Sequence, residues 1–399
     1  MKLTKNSKYL MLFFNQNDYI INHSLDDQSK KILKEIYNKI FESYYYQNKH
    51  PINYTVKINK IKTITPSSNF DSSFFPKKIR DHIFETSSFE IIYEFSVFDR
   101  EIKVIFIIDD KSYPKLDKYN NHIKKIFMWL YILKSESSNK CSKTLKIYFY
   151  FTDFEKHLPT DKSEILGPYH VNTAFTTSCS EDAEIILYRK EEWFKVFIHE
   201  SFHSFGLDFS IMDNSRVSEY IRNIFKVKSK VNLYESYTEC WAEIINLSFC
   251  SFYDLEIKDD SETFISNFET LIDYEISYSL FQMVKILNYQ NFKYNDLLLS
   301  QPSYRENSNI LAYYIIKTIL IVNYQQFLLW CNENNKKLFQ FKKTTECLDK
   351  FCEFIKTIHK IDKLNHYIKK IETLYDHITF DHKHNYLLTN MRMSICEML

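Results

Sequence analysis

A chain of 399 residues, 45% of them hydrophobic, is long enough to bury a sizeable core and suits two or three domains. Its 52 basic and 51 acidic residues leave a net charge of +1, which offers no field to gather nucleic acid or an anionic membrane, so neither is expected as a partner. The eight cysteines form no CxxC pair; this speaks against a zinc knuckle or a thioredoxin-like motif and reads as scattered free thiols of an intracellular protein.

In chain order, the N-terminal MKLTKNSKYLMLFFNQNDY offers only YLMLFF as an apolar run. That is shorter than the roughly 7–15 residues of a signal-peptide core, so secretion is not expected. A helical pattern covers Asp26–Tyr46, and the Pro- and Ser-rich ITPSSNFDSSFFPKK reads as a loop. SFEIIYEFSVFDREIKVIFIIDD alternates and is rich in β-branched and aromatic residues, which predicts a hairpin turning near Asp99-Arg100. A helix follows at about Leu116–Ser135, then strands at TLKIYFYFTDF, GPYHVNTAFTT and AEIILYR. From about Asp213 the pattern is helical to the end. The apolar run from Ile310 to Trp330 is interrupted by Lys317, Asn323, Gln325 and Gln326, and so reads as a buried core helix rather than a membrane span. This order predicts an α+β fold: a small mixed or antiparallel sheet, then one functional helix, then a mostly helical C-terminal half. The corresponding segments are an N-terminal α/β region (1–85), a core carrying the chemistry (86–260) and an all-helical region packed on it (261–399).

Between the last predicted strand and the helical half lies EEWFKVFIHESFHSFGLDF, in which His199-Glu200-Ser201-Phe202-His203 spells HExxH on a segment of helical periodicity. Residues four apart sit about 40° apart around a helix, so both imidazoles can grip one metal ion from the same side. Glu200 can then take a proton from a water that the metal polarises, the arrangement with which many zinc enzymes hydrolyse peptide bonds. Phe194, Ile198, Phe202 and Phe205 form one apolar face, which predicts a helix buried on one side and facing a cleft on the other. The chain has only two glycines, Gly167 and Gly206; the second, three residues after His203, is placed to end the helix with a left-handed cap.

Two histidines hold zinc poorly without a third protein ligand. The contiguous form HExxHxxGxxH keeps Gly206 but meets Phe209 at its last ligand position, with Asp208 one residue out of register. Downstream, VNLYESYTECWAEIINLSF offers Glu235, Glu239 and Glu243 at helical spacing, a stripe lengthened by Asn246. Like charges at i, i+4 repel unless a cation faces them, and a divalent metal would remove that cost.

HExxH followed by such a helix resembles the gluzincin zinc metallopeptidases, and ECWAE (Glu239 to Glu243) is similar to their second motif in the form shared by lethal-factor-like members. The stretch from about residue 170 to 250 also looks like uncharacterised metallopeptidase-like proteins of giant DNA viruses, in keeping with a composition crowded with Lys, Asn and Ile. The resemblance implies a zincin-like fold and one Zn2+ per chain, held by His199, His203 and Glu239. It also implies Glu200 as general base and Glu243 as the carboxylate that orients a histidine ligand. Glu235 stays open as the third ligand, because ESYTE also spaces two carboxylates by four.

Hydrolysis at such a centre needs one further donor for the developing oxyanion, for which Tyr234, Tyr237 and His170 are candidates. VNTAFTT, beginning beside Asn172, is the candidate edge strand for pairing with an extended peptide, and Asn172-Thr173-Ala174-Phe175 is similar to that strand in thermolysin-like enzymes. The expected function is therefore a zinc-dependent metallopeptidase with a peptide or protein substrate. Two other classes stay open: a catalytically silent zincin-like structural or interaction protein of a large DNA virus, and a zinc hydrolase of a non-peptide bond.

Overall fold

Among the described residues the β-branched and aromatic segments pair into one six-stranded sheet, and the other regular elements are helices. The computed structural model describes residues 3–64, 66–109, 113–299, 303–378 and 384–398. In chain order the elements are α1 (Lys5–Gln16), α2 (Asp27–Lys49), β1 (Thr55–Lys60), α3 (Lys77–Thr86), β2 (Phe89–Val97), β3 (Arg100–Ile108), α4 (Leu116–Glu136) and β4 (Thr144–Tyr150). They continue with α5 (Pro168–Val171), β5 (Ala174–Thr176), β6 (Asp182–Leu187), α6 (Trp193–Ser204), α7 (Ser215–Ile224), α8 (Leu233–Asp254) and α9 (Ser261–Tyr289). A short 3₁₀ turn (Tyr294–Leu298) and a widened π-helical stretch (Leu311–Ile316) lead to α10 (Lys317–Val322), α11 (Tyr324–Asn334), α12 (Thr345–Ile358), α13 (Asp362–His377) and α14 (Asn385–Thr389). This is the α+β architecture read from the sequence. Among the described residues no helix is long and apolar enough to cross a membrane.

The chain forms two compact units, one of Ile36–Glu155 and Asn172–Ile211, the other of Met1–Glu35, Lys156–Val171 and Met212–Leu399. These boundaries cross the three consecutive segments expected from sequence, because the chain leaves the sheet unit after β4 and re-enters it just before β5.

The first unit carries the sheet, in the order β1-β2-β3-β4-β6-β5. β2 and β3 form the expected hairpin, with Val97 opposite Arg100 and Phe98 at φ 57 in the turn between them. The sheet is mixed: β3, β4 and β6 run parallel, while β1 and β5 close the two ends antiparallel to their neighbours. Alternation sorts the side chains. Ile105, Ile107, Tyr148, Tyr150, Ile186 and Tyr188 pack on one face with Phe70, Phe75, Ile79 and Ile83. On the other, Phe106 stacks on Phe149, which meets Trp193 and Phe197 of α6 at 5.6 and 6.4 Å, and Trp129 of α4 stacks on Phe202 at 6.3 Å. His122 of α4 lies edge-on to Trp193 at 4.5 Å; burial, helped by Lys125 and Lys118, pushes its pKa down to about 3, so it is a neutral core residue.

Two expectations need correction here. GPYHVNTAFTT is not one strand: Pro168 has no N–H to give a ladder, His170 N bonds back to Gly167 O at 2.9 Å, and only Ala174–Thr176 pairs. Nor are all eight cysteines free, because Cys141 and Cys179 form a disulfide. The pairing of Ser142 N with Ser180 O and of Lys143 N with Glu181 O brings these two positions together. The other six cysteines are buried thiols.

The second unit is helical. Every residue of α8 from Glu235 to Phe252 is buried, and α8 packs against α9, α10 and the π-helical stretch. The run from Ile310 is buried as far as Tyr324 apart from half-buried Tyr313, but it breaks at Asn323 between α10 and α11, and α11 leaves Gln326 exposed and Trp330 half-buried. Its Lys317 donates to Glu243 Oε1 at 2.7 Å, to Ser279 Oγ at 3.0 Å and to Met393 O at 3.2 Å, with both charged side chains essentially inaccessible. A buried pair of this kind adds little net stability, yet removing one partner leaves an uncompensated charge. Lys317→Met is expected to lower the unfolding free energy by about 3–5 kcal/mol, read from the urea midpoint, whereas Lys342→Met on the surface should leave it within about 0.5 kcal/mol.

Candidate metal centre

α6 follows β6 after a five-residue connection and packs against β5 and β6. Every residue from Trp193 to Ser204 is buried, so the helix is enclosed on all sides rather than open along one face as its wheel suggested. His199, Glu200 and His203 are 5, 7 and 7% exposed. The helix ends where Gly206 was expected to end it. Gly206 has φ 63, its N–H bonds His203 O at 3.0 Å, and Leu207 N bonds Phe202 O at 2.8 Å, a Schellman cap that turns the chain back along the helix.

That turn delivers Asp208 to His203. Asp208 is fully buried, and its Oδ2 lies 2.5 Å from His203 Nδ1. Ser210 Oγ lies 2.9 Å from Asp208 Oδ1 and steadies the carboxylate from its other oxygen. A carboxylate on Nδ1 fixes the ring and its tautomer and leaves Nε2 with a lone pair. His203 Nε2 in turn lies 3.2 Å from His199 Nε2. Two nitrogens at 2.0–2.1 Å from a tetrahedral metal ion are separated by about 3.3 Å, so the two rings already stand at the spacing of adjacent metal ligands.

Glu235, in the first turn of α8, is held by two donors: Asn309 Nδ2 to Oε1 at 3.2 Å and Tyr313 OH to Oε2 at 3.1 Å. Asn309 is itself fixed by Asn232 Nδ2 at 3.0 Å. Asn309 lies just ahead of the π-helical stretch and Tyr313 within it; the entry of that stretch is capped by Glu306 accepting from Leu311 N at 2.7 Å, and burial lifts the Glu306 carboxyl to about 7. His199, His203 and Glu235 each offer a ligand atom, all three are buried, and these atoms lie within 4.8 Å of one another. Such a group can hold a metal ion.

Glu239, which the resemblance made the third ligand, is 1% exposed one turn further along α8 and is not among the three. Glu243, implied to orient a histidine, has its Oε1 on the Lys317 ammonium. Tyr237 is a core residue: its ring packs on Phe327, Phe341 and Phe351, its hydroxyl receives Asn335 Nδ2 at 2.9 Å, and burial raises its pKa well above the usual tyrosine value. His170 is spent locally, Nδ1 accepting from Gly167 N at 3.2 Å and Nε2 facing Glu164 at 3.2 Å. Tyr234 stands half-buried in the first turn of α8, and the Asn172 carbonyl accepts from Arg189 Nε at 3.1 Å. Asp208, Asn309 and Tyr313 support the site without belonging to the sequence motif. Asp208 carried a signal, since Gly206 must turn the chain directly before it; Asn309 and Tyr313 carried none in the local pattern.

No known protein family matches the chain, and no solved structure does. It is 26% identical over 179 residues to an uncharacterized protein of Acanthamoeba polyphaga mimivirus, a match that takes in 43% of this chain and 45% of that one. The chain thus matches less than half of that relative's length, and the likeness points to a viral relationship without naming an activity.

Asp208→Asn is expected to weaken metal binding by about 10–100-fold, measured by competition with a chelating dye, while the circular dichroism of the apo protein stays unchanged. Unaltered affinity would show that the Asp208 contact does not support a ligand.

Proposed function

We propose that the protein is a zinc-dependent metallopeptidase whose zinc ligands are His199, His203 and Glu235, with Glu200 as the general base. The observation that carries the reading is the convergence of two imidazoles and one carboxylate, all buried, within 4.8 Å. Two neutral nitrogens and one carboxylate oxygen are a protein donor set of catalytic zinc sites, whereas Ca2+ and Mg2+ favour all-oxygen sets. Bound there, zinc would supply a Lewis acid that makes water acidic near neutral pH and polarises a carbonyl.

The chain's own residues supply the rest. Asp208 keeps His203 Nε2 turned toward its partner Nε2, and Asn309 and Tyr313 keep Glu235 from swinging away. Glu200 is adjacent to a ligand on the same helix and nearly excluded from solvent, so its carboxylate acts in a low-dielectric setting; it takes a proton from the attacking water and returns it to the leaving amine. β5 ends the sheet, antiparallel to β6 and packed beside α6, which suits pairing with an extended peptide.

Zinc analysis of purified variants tests the ligands. Glu235→Ala is expected to lose the single zinc and Glu239→Ala to keep it; the reverse pattern would return the ligand role to Glu239. Glu200→Gln should keep its zinc and lose at least about 100-fold in the rate of cleaving a fluorescent peptide library. Zinc retention with no cleavage by the unaltered protein would instead favour a metal-holding scaffold without turnover.

A further inference from the structure

The disulfide and the metal helix meet at one place. The Cys179 N–H donates to His203 O at 3.0 Å, so the residue bearing one sulfur holds the carbonyl of a proposed ligand. Ser142, next to the other sulfur, donates to Ser204 O at 2.9 Å, and its Oγ lies 2.6 Å from Ser204 Oγ. Ser178 Oγ lies 3.1 Å from Ser210 Oγ, which continues to Asp208 and from there to His203 Nδ1. Three separate links therefore run from the residues beside Cys141 and Cys179 to the last turn of α6. Cys179 at φ 47 and Ser142 at φ 52 both occupy the left-handed region, which residues with a side chain avoid unless the surroundings hold them. Cys141 is buried, and Cys179 is partly exposed, so a reductant can approach from one side.

We propose that the Cys141–Cys179 disulfide is a redox strap that keeps the metal helix in its ligating geometry, and that its reduction loosens metal binding. The proposal rests on the reading of His199 and His203 as metal ligands. A dithiol reductant supplies two electrons and two protons: the S–S bond breaks, each cysteine sulfur gains a hydrogen, and the dithiol leaves as its own disulfide. The segments at 141–142 and 178–180 are then joined only by their backbone hydrogen bonds, Ser142 N to Ser180 O and Lys143 N to Glu181 O, so the donors to the His203 and Ser204 carbonyls and the Ser178 hydroxyl on Ser210 are held less firmly. The metal affinity of this site thereby follows the thiol–disulfide balance of its surroundings.

The test is a zinc titration of the apo protein against a competing chelating dye, in the oxidised form, after reduction by a water-soluble phosphine, and in the Cys141→Ser/Cys179→Ser double variant. Reduction is expected to weaken zinc binding about tenfold, the double variant to bind like the reduced protein, and phosphine to have no effect on that variant. Hydrogen exchange at the amides of residues 203–207 in metal-free protein should quicken on reduction. Equal zinc affinity and equal exchange in the oxidised and reduced forms overturn the strap while leaving the metal site standing. Absence of zinc binding in every form overturns the site and the strap together. Should the double variant fail to fold, Ser178→Ala keeps the disulfide but cuts its link to Asp208, and roughly threefold weaker binding is then expected; unchanged affinity counts against the strap.

Discussion

Two imidazole nitrogens held 3.2 Å apart inside an enclosed helix are the constraint on which the rest of the site depends. The Nε2 atoms of neutral histidines repel when both lone pairs face each other, and a buried helix offers no water to separate them. A proton shared between the rings or a cation bound by both relieves the conflict. The Asp208 carboxylate on His203 Nδ1 favours the second, because it secures the tautomer in which Nε2 is an acceptor. A carboxylate from Glu235 within the same 4.8 Å adds the negative charge that a divalent ion needs and that two neutral rings do not.

The local architecture serves this geometry by fixing both ends of α6. Its start is anchored by Trp193 and Phe197 on the aromatic face of the sheet, and its end by the Schellman cap of Gly206 together with donors from Cys179 and Ser142. Neither end can rotate without breaking packing or buried hydrogen bonds, so the direction of His199 and His203 is set by the scaffold before any ligand arrives. Glu235 is steadied in the same manner, Oε1 by Asn309 just ahead of the π-helical stretch and Oε2 by Tyr313 within it.

What the sequence disclosed is what a single segment encodes. HExxH, the left-handed stop at Gly206 and the β2–β3 hairpin depend on residues a few positions apart, and local periodicity reports them directly. The choice between Glu235 and Glu239 does not lie in spacing, since both sit on one stripe of α8; only tertiary placement separates a carboxylate at the site from one a turn beyond it. Glu243 shows the same limit: a stripe of three acids suggested one shared cation, whereas the structure gives Glu243 its own lysine from a helix 74 positions away. Asp208 falls one residue out of the ligand register, and register says nothing of a chain that doubles back through a cap to bring that carboxylate to a histidine. The disulfide spans 38 positions with no spacing motif, so composition alone could only favour free thiols.

The most direct test of the central claim is X-ray absorption at the zinc edge of protein loaded with one equivalent of Zn2+. Two imidazoles and a carboxylate predict a first shell of nitrogen and oxygen only, at about 2.0–2.2 Å, with the outer-shell scattering of two histidine rings. A sulfur shell at about 2.3 Å, or an oxygen shell without imidazole scattering, would contradict it and place the metal elsewhere in the protein.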